Sequence, residues 1–248
     1  MSLTRGTIHC GIGSEQIPVS FFVVLVHNIF ITSGYKGHIM RKKTIEYQMF
    51  CLEGDKMAKS EPLRTNDDIE VIKKYFLDRN RIRDYVLFTL GINTALRISD
   101  LLQLTWGDVL DFNTDLFFNH ITVTEQKTHK KTIILINHTS KAALEKLKTN
   151  LNKVIPQNYI FKSRAGDNQP IHRSRAYCII KEAALANHIE GVICCHSMRK
   201  TFGYHAWKEG FPPAIIMDIY NHSSIETTKR YLSINQDDKD YVFHKLQL

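Results

Sequence analysis

From Met57 onward, apolar residues recur at helical spacing in one segment after another. The run is broken once, by two stretches in which apolar and polar residues alternate. A chain with many one-faced helices and a single pair of strands can bury its apolar surface only as a mainly α (α+β) domain carrying one small antiparallel β-sheet. "TNDDIEVIKKYF" offers Thr65 or Asn66 as a cap, acidic residues in the first turn, and Ile69, Ile72 and Phe76 on one face. "IRDYVLFTLGI" is apolar nearly all round, which predicts a buried helix, and a third helix starts near "LRISDLLQLTW". "HITVTEQ" and "KTIILIN" flank "KTHKK" and predict a β-hairpin with a basic tip. Helices follow at "SKAALEKLKTNL", at "SRAYCIIKEAALANH" and at "HSMRKTFGYHAWKEG", where Gly210 is the stop. "PPAIIMDIYN" opens on prolines placed to start a helix. "SIETTKRYL" and a tail from about residue 236, "DDKDYVFHKLQL", finish the chain.

With 248 residues and 43% hydrophobic content, the chain is long enough for a proper core. Its net charge of +8 favours a polyanionic partner, either nucleic acid or an anionic surface. The five cysteines, with Cys194 and Cys195 adjacent and no C-x-x-C pair, suggest neither a disulfide framework nor a structural zinc site, and fit a reducing cytosol. Residues 1–56 follow a different pattern. "IPVSFFVVLVHNIFI", residues 17–31, is strongly apolar, but it is shorter than the roughly 20 residues of a spanning helix and is interrupted by His27 and Asn28. Glu15 and a single arginine before it fit a signal peptide poorly. The segment reads as an atypical appendage, and residues 57–248 as the domain proper.

Ser223 followed by Glu226 matches a capping box, so His222 should stand just outside a short polar helix and Tyr231 about two turns inside it. Taken singly, each polar residue here has a plain structural reading. Tyr231 can pack the helix down while His222 lies in a surface loop. His196 and Arg199, at i and i+3 on one helix face, can be a solvated surface. Arg97 is either an ion pair with Asp100 or a charge held ready for an anionic ligand, and Lys127 can simply keep a hairpin tip soluble.

Taken together, Arg97, Lys127, His196, Arg199, His222 and Tyr231 occur in an order and spacing that resemble the catalytic domain of the tyrosine recombinase (phage integrase) family. "TALRISDLLQLTW" is similar to the family's first arginine motif and "EQKTHKK" to its hairpin lysine. "HSMRKTF" matches its H-x-x-R box, and "NHSSIETTKRYLSI" its histidine and nucleophile segment. The likeness runs from about residue 61 to about residue 235. It implies that Tyr231 attacks a DNA phosphodiester to form a 3′-phosphotyrosyl intermediate, conserving bond energy for religation. Arg97 and Arg199 would then clamp the non-bridging oxygens, and His222 would add a donor. Lys127 would protonate the departing 5′ oxygen, His196 would accept the tyrosine proton or hold a neighbour in place, and Asp100 would orient the cluster from behind.

The resemblance implies no cofactor and no metal. It implies double-stranded DNA as partner, a homo-tetramer on that DNA, no membrane, and a cytoplasmic recombinase serving integration or excision of a mobile element. Three departures stand out. Asn221 and His129 occupy positions where relatives often have glycine, and nothing before Met57 supplies the family's core-binding domain. The last departure implies dependence on an accessory DNA-binding protein, or the alternative of a DNA-binding or assembly module deficient in recombination. In the tail, Tyr241, Val242, Leu246 and Leu248 form an apolar stripe that docks either on its own domain or on a neighbouring protomer.

Overall fold

Thr65 starts the first helix, α1 (Asn66–Asp78), by accepting the Asp68 amide on its hydroxyl, and Ile69, Ile72, Tyr75 and Phe76 are its buried face. The computed structural model describes residues 59–234 and 236–246, so the expected appendage at 1–56, with its apolar stretch, lies outside the described residues. Next comes α2 (Ile82–Asn93), buried along almost its whole length as its composition predicts. The short helices α3 (Ile98–Leu102) and α4 (Trp106–Val109) follow.

Among the described residues the strands form two small antiparallel sheets rather than one. In the first, β1 (Leu110–Asp111) pairs with β2 (Leu116–Phe117). Strands of two residues are too short to show alternation. What builds this hairpin is the Asp111 carboxylate, which accepts the Asn113 amide and the Thr114 hydroxyl at 2.9 Å each. The second sheet is the expected hairpin of β3 (His120–Thr124) and β4 (Lys131–Leu135), in register from His120 opposite Leu135 to Thr124 opposite Lys131. Ile121 and Val123 point into the core, whereas Ile133 and Leu135 are 71% and 58% exposed.

Helices α5 (His138–Asn150) and α7 (Cys195–Lys208) pack against α2, α6 (Arg173–Ala186) packs against α1, α3 and α7, and α7 stops at Gly210, whose φ is +87°. Helix α8 (Pro213–Ile219) has the expected proline start. Its end is a Schellman motif: Asn221, at φ 51°, bonds back to the Asp218 carbonyl, and the His222 amide to that of Met217. Helix α9 (Ile225–Leu232) is capped by Ser224, which accepts the Thr227 amide at 3.3 Å, not by Ser223. The left-handed turn at Asn221 leaves Ser223 in the bend and delays the helix by one residue. Glu226 stands in the first turn, where its charge suits the dipole.

Among the described residues the buried apolar side chains gather into two cores. The larger gathers α1, α2, α5, α6 and the inner face of β3. The smaller is built by Ala95, Ile216, Tyr220 and Leu232, with Phe202, Trp207 and Tyr231 packed against it, where α7, α8 and α9 meet. The tail helix α10 (Gln236–Lys245) is anchored through Asp238, which lies 2.9 Å from Lys208 Nζ and 3.5 Å from Arg64. Its apolar side chains stay exposed: Tyr241 57%, Val242 47%, Phe243 79% and Leu246 62%. The stripe is therefore not covered by its own described domain, and Leu248 lies outside the described residues.

Candidate functional site

The smaller core is the floor on which the polar cluster stands. Arg199, on α7, is 2% exposed. One of its terminal nitrogens donates to the Ala95 carbonyl and the other to the Tyr220 carbonyl at 2.8 Å, while the guanidinium lies 4.5 Å from the centre of the Tyr220 ring. Its Nε–H has no partner, and no carboxylate pairs with it among the described residues. Burying a cation without a counter-charge is costly and lowers its pKa, by desolvation first and by Arg97 second. Such a charge is ready for an anion.

Tyr220 makes this grip possible. Its hydroxyl donates to the Arg199 carbonyl at 2.5 Å, and its ring lies against Gly203, where a Cβ would stand 2.9 Å from the ring carbon Cζ. Tyr220 is a functional residue that no sequence motif marks. Its only sequence signal was its place directly before Asn221 and His222, and its partner lies 21 residues away.

Arg97 is the residue before α3 and is paired, though not with Asp100. Its guanidinium lies 2.6 Å from Glu125, a carboxylate 1% exposed at the base of the hairpin. Asp100 instead accepts the Gln126 amide at 3.0 Å and so holds the same hairpin base. Residues at i and i+3 face one another within a helix, but Arg97 precedes α3 in extended conformation, which turns its side chain away from Asp100. Burial alone would raise the Glu125 pKa, but hydrogen bonds from Thr128, Arg97 and Asn221 bring it below the usual range. Asn221 also donates to the Thr132 hydroxyl at 2.9 Å, tying the His222 turn to β4. Lys127 is exposed at the tip, in a turn closed by His129 at φ 55°. His129, where relatives often have glycine, thus takes the left-handed conformation that glycine adopts freely.

Tyr231, on α9, points its hydroxyl at His196 Nδ1, 3.5 Å away, which is long for a hydrogen bond. The ring packs at 5.3 Å from Tyr220 and 5.1 Å from His222. Desolvation raises the phenol's pKa, against the pull of Arg199 and Arg97. Both histidines move the other way. Burial first, then Arg173, Lys200, Arg199 and Arg97, lowers His196, and burial with Arg199 and Arg97 lowers His222 to about 4. At neutral pH both are neutral imidazoles, able to accept or donate one proton. His222 is oriented by a 3.1 Å contact between its Nδ1 and the Thr228 hydroxyl.

Arg97, His196, Arg199, His222 and Tyr231 therefore come together around the end of α9, and Lys127 lies close enough to bear on the His222 charge. A separate cavity of 480 Å³, lined by Lys59, Lys229, Arg230, Ser233, Ile234 and Lys239, contains none of these side chains. Among the described residues no group of three or more His, Cys, Asp or Glu side chains is placed to hold a metal, and no helix is long and apolar enough to cross a membrane. Chemically, the arrangement offers a hydroxyl beside a neutral base and two guanidinium groups that can receive a phosphate.

Residues 64–238 match the phage integrase family. The chain is 43% identical over 181 residues to the probable integrase/recombinase YoeC of Bacillus subtilis, across 71% of this chain and 91% of that protein. It is 28% identical over 164 residues to a tyrosine recombinase of Pseudothermotoga lettingae, of which it spans 54%. It thus covers about half the length of some relatives and nearly all of another. Among solved structures, XerA recombinase superposes with a TM-score of 0.60 at 21% identity, covering 79% of this chain and 68% of that one. A lambda integrase dimer bound to a core site superposes at 0.54 and 18% identity, covering 74% of this chain and 50% of that one. Both share the fold. The matched span contains every residue of the cluster, and the chain belongs to the phage integrase family, the tyrosine-type site-specific recombinases.

Proposed function

We propose that this protein cleaves and rejoins duplex DNA through a 3′-phosphotyrosyl link at Tyr231. The observation that carries the reading is a tyrosine hydroxyl 3.5 Å from a histidine held neutral, above a buried arginine with no carboxylate partner among the described residues. His196 takes the phenolic proton as the Tyr231 oxygen bonds to phosphorus. The bond from phosphorus to the 5′ oxygen breaks, and Lys127 gives that oxygen a proton. Charge gathering on the non-bridging oxygens is met by Arg199, Arg97 and the His222 N–H. Arg97 turns from Glu125 toward the phosphate, or shares itself between them. Religation runs the same steps backward.

DNA as partner is supported by the relatives solved on DNA, the lambda integrase dimer on its core site among them. The net charge of +8 and the basic cavity at Lys229, Arg230 and Lys239 suit the sequence-independent part of such binding. Residues 57–248 are the catalytic unit in this reading, with double-stranded DNA integrated or excised for a mobile element. The exposed apolar side of α10 docks on a neighbouring protomer in a tetramer, and an accessory protein or residues 1–56 add DNA contacts. A duplex nicked near the cleavage point, so that the cut strand diffuses away, tests the chemistry. A covalent protein–DNA band on a denaturing gel is expected. Binding without that band would leave only a DNA-binding module.

A further inference from the structure

Lys200 is the residue after Arg199, and the chemistry above does not use it. Its side chain is 5% exposed, and its Nζ donates to the Ser60 carbonyl at 2.5 Å. No ion pair is made by it among the described residues. The same Nζ lies 5.8 Å from the centre of the Tyr231 ring. His196 and Lys200 are at i and i+4 on α7, so one face of one helix presents a base to the hydroxyl of Tyr231 and, a turn later, a cation to its ring. A methionine or leucine would fill this space without desolvating an amine, and a clamp on Ser60 needs no charge.

We propose that Lys200 is a positioning residue for Tyr231, its buried ammonium lying against the aromatic ring and favouring the phenolate form that attack requires. A cation over a ring is held by the ring's electron density, and that density rises as the phenol loses its proton. Lys200 thereby opposes the desolvation that makes Tyr231 a poor acid. The groups facing Tyr231 are His196, Arg199 and Lys200 from α7, Cys194 at the start of that helix, Tyr220 from the end of α8, His222 from the turn, and Arg97 from before α3. Those facing Lys200 are Lys59, Glu61, Cys194 and His196. Burial first and Lys59 next lower the lysine's pKa. A cation that is poorly solvated and repelled by its neighbour gains most from a nearby phenolate.

The inference rests on the proposed role of Tyr231 only for its consequence in cleavage, so it is tested first without DNA. Full-length protein carrying difluorotyrosine, whose phenol is more acidic, is titrated by fluorine NMR, with the Tyr231 signal assigned by its loss in Tyr231→Phe. Lys200→Met should raise the Tyr231 titration by about one pH unit, and Lys200→Arg should return it to within a few tenths. On a nicked duplex, Lys200→Met should slow adduct formation about tenfold at neutral pH and move its alkaline limb upward by the same interval. Should Lys200→Met prove poorly folded, Lys200→Gln serves in the same titration. An unchanged Tyr231 titration overturns the inference, whatever happens to cleavage. A shifted titration in a protein that forms no adduct sinks the proposed function alone.

Discussion

In the proposed site, Arg199 and Lys127 occupy two regions built on opposite terms. Arg199 is buried in the helical floor, held by carbonyls from before α3 and from the end of α8, with an aromatic ring beneath it. Lys127 stands in water on a hairpin whose second strand leaves Ile133 and Leu135 exposed. A group that must meet charge as it develops benefits from being fixed beforehand, because no reorganisation is then needed during reaction. A proton donor that acts on one departing oxygen can stay solvated until the ligand brings that oxygen to it. Arg97 links the two regions, since its partner Glu125 belongs to the hairpin base.

The contrast breaks most easily at its two cations. Arg199→Lys should lower the cleavage rate by roughly 100- to 1000-fold. It should also cost about 1–3 kcal/mol of stability, because one ammonium cannot satisfy both buried carbonyls. Lys127→Ala should cut the rate by about 100-fold or more while leaving urea unfolding within about 0.5 kcal/mol of wild type. Single-turnover cleavage and equilibrium unfolding on both variants check this. Equal stability losses in the two would erase the distinction.

Gly203→Ala tests the floor without touching a charge. The new Cβ must displace the Tyr220 ring, whose Cζ would lie 2.9 Å away, so a loss of about 1–3 kcal/mol is expected. Adduct formation should fall as well, because Tyr220 carries the carbonyl that holds Arg199. Acid should act on the same region in a milder way. His222 titrates near 4 in the fold against 6.5 when free, so the unfolded chain binds its proton first. The stability is fully present above about pH 6.5 and is lost as the pH falls toward 4, with the lowered His196 acting in the same direction and Glu125 adding its loss only below about 4.5. Melting midpoints measured across that window should fall, and His222→Gln should flatten the lower part of the curve. The smallest effect belongs to the hairpin. His129→Gly removes a left-handed non-glycine residue, at φ 55°, and should change stability by no more than about 1 kcal/mol while leaving the floor untouched.

What was legible in the sequence was whatever neighbours in the chain decide. A cap at Thr65 or Asn66 (Thr65 in the fold), the alternation of β3 and β4, the proline start of α8 and the tolerance of Asn221 for a left-handed turn are all local matters, and the structure has each of them. The cluster itself was legible as an ordered set of motifs. Partners were not. The carboxylate for Arg97 was expected three residues on, at Asp100, and lies at Glu125, because the backbone before α3 is extended. Tyr220 and the Ala95 carbonyl hold Arg199 across separations of 21 and 104 residues, which no periodicity reports. The α9 cap was expected at Ser223 and lies at Ser224, because the Schellman turn before it leaves Ser223 in the bend.

In the proposed function the hydroxyl of Tyr231 is the attacking group. Wild-type protein and Tyr231→Phe should be compared on the same nicked duplex, with adducts read on a denaturing gel and binding read separately by gel shift. The ring's packing against Tyr220 and His222 survives the substitution, so the variant should bind DNA as wild type does and form no adduct. A covalent band of undiminished intensity in Tyr231→Phe would contradict the account.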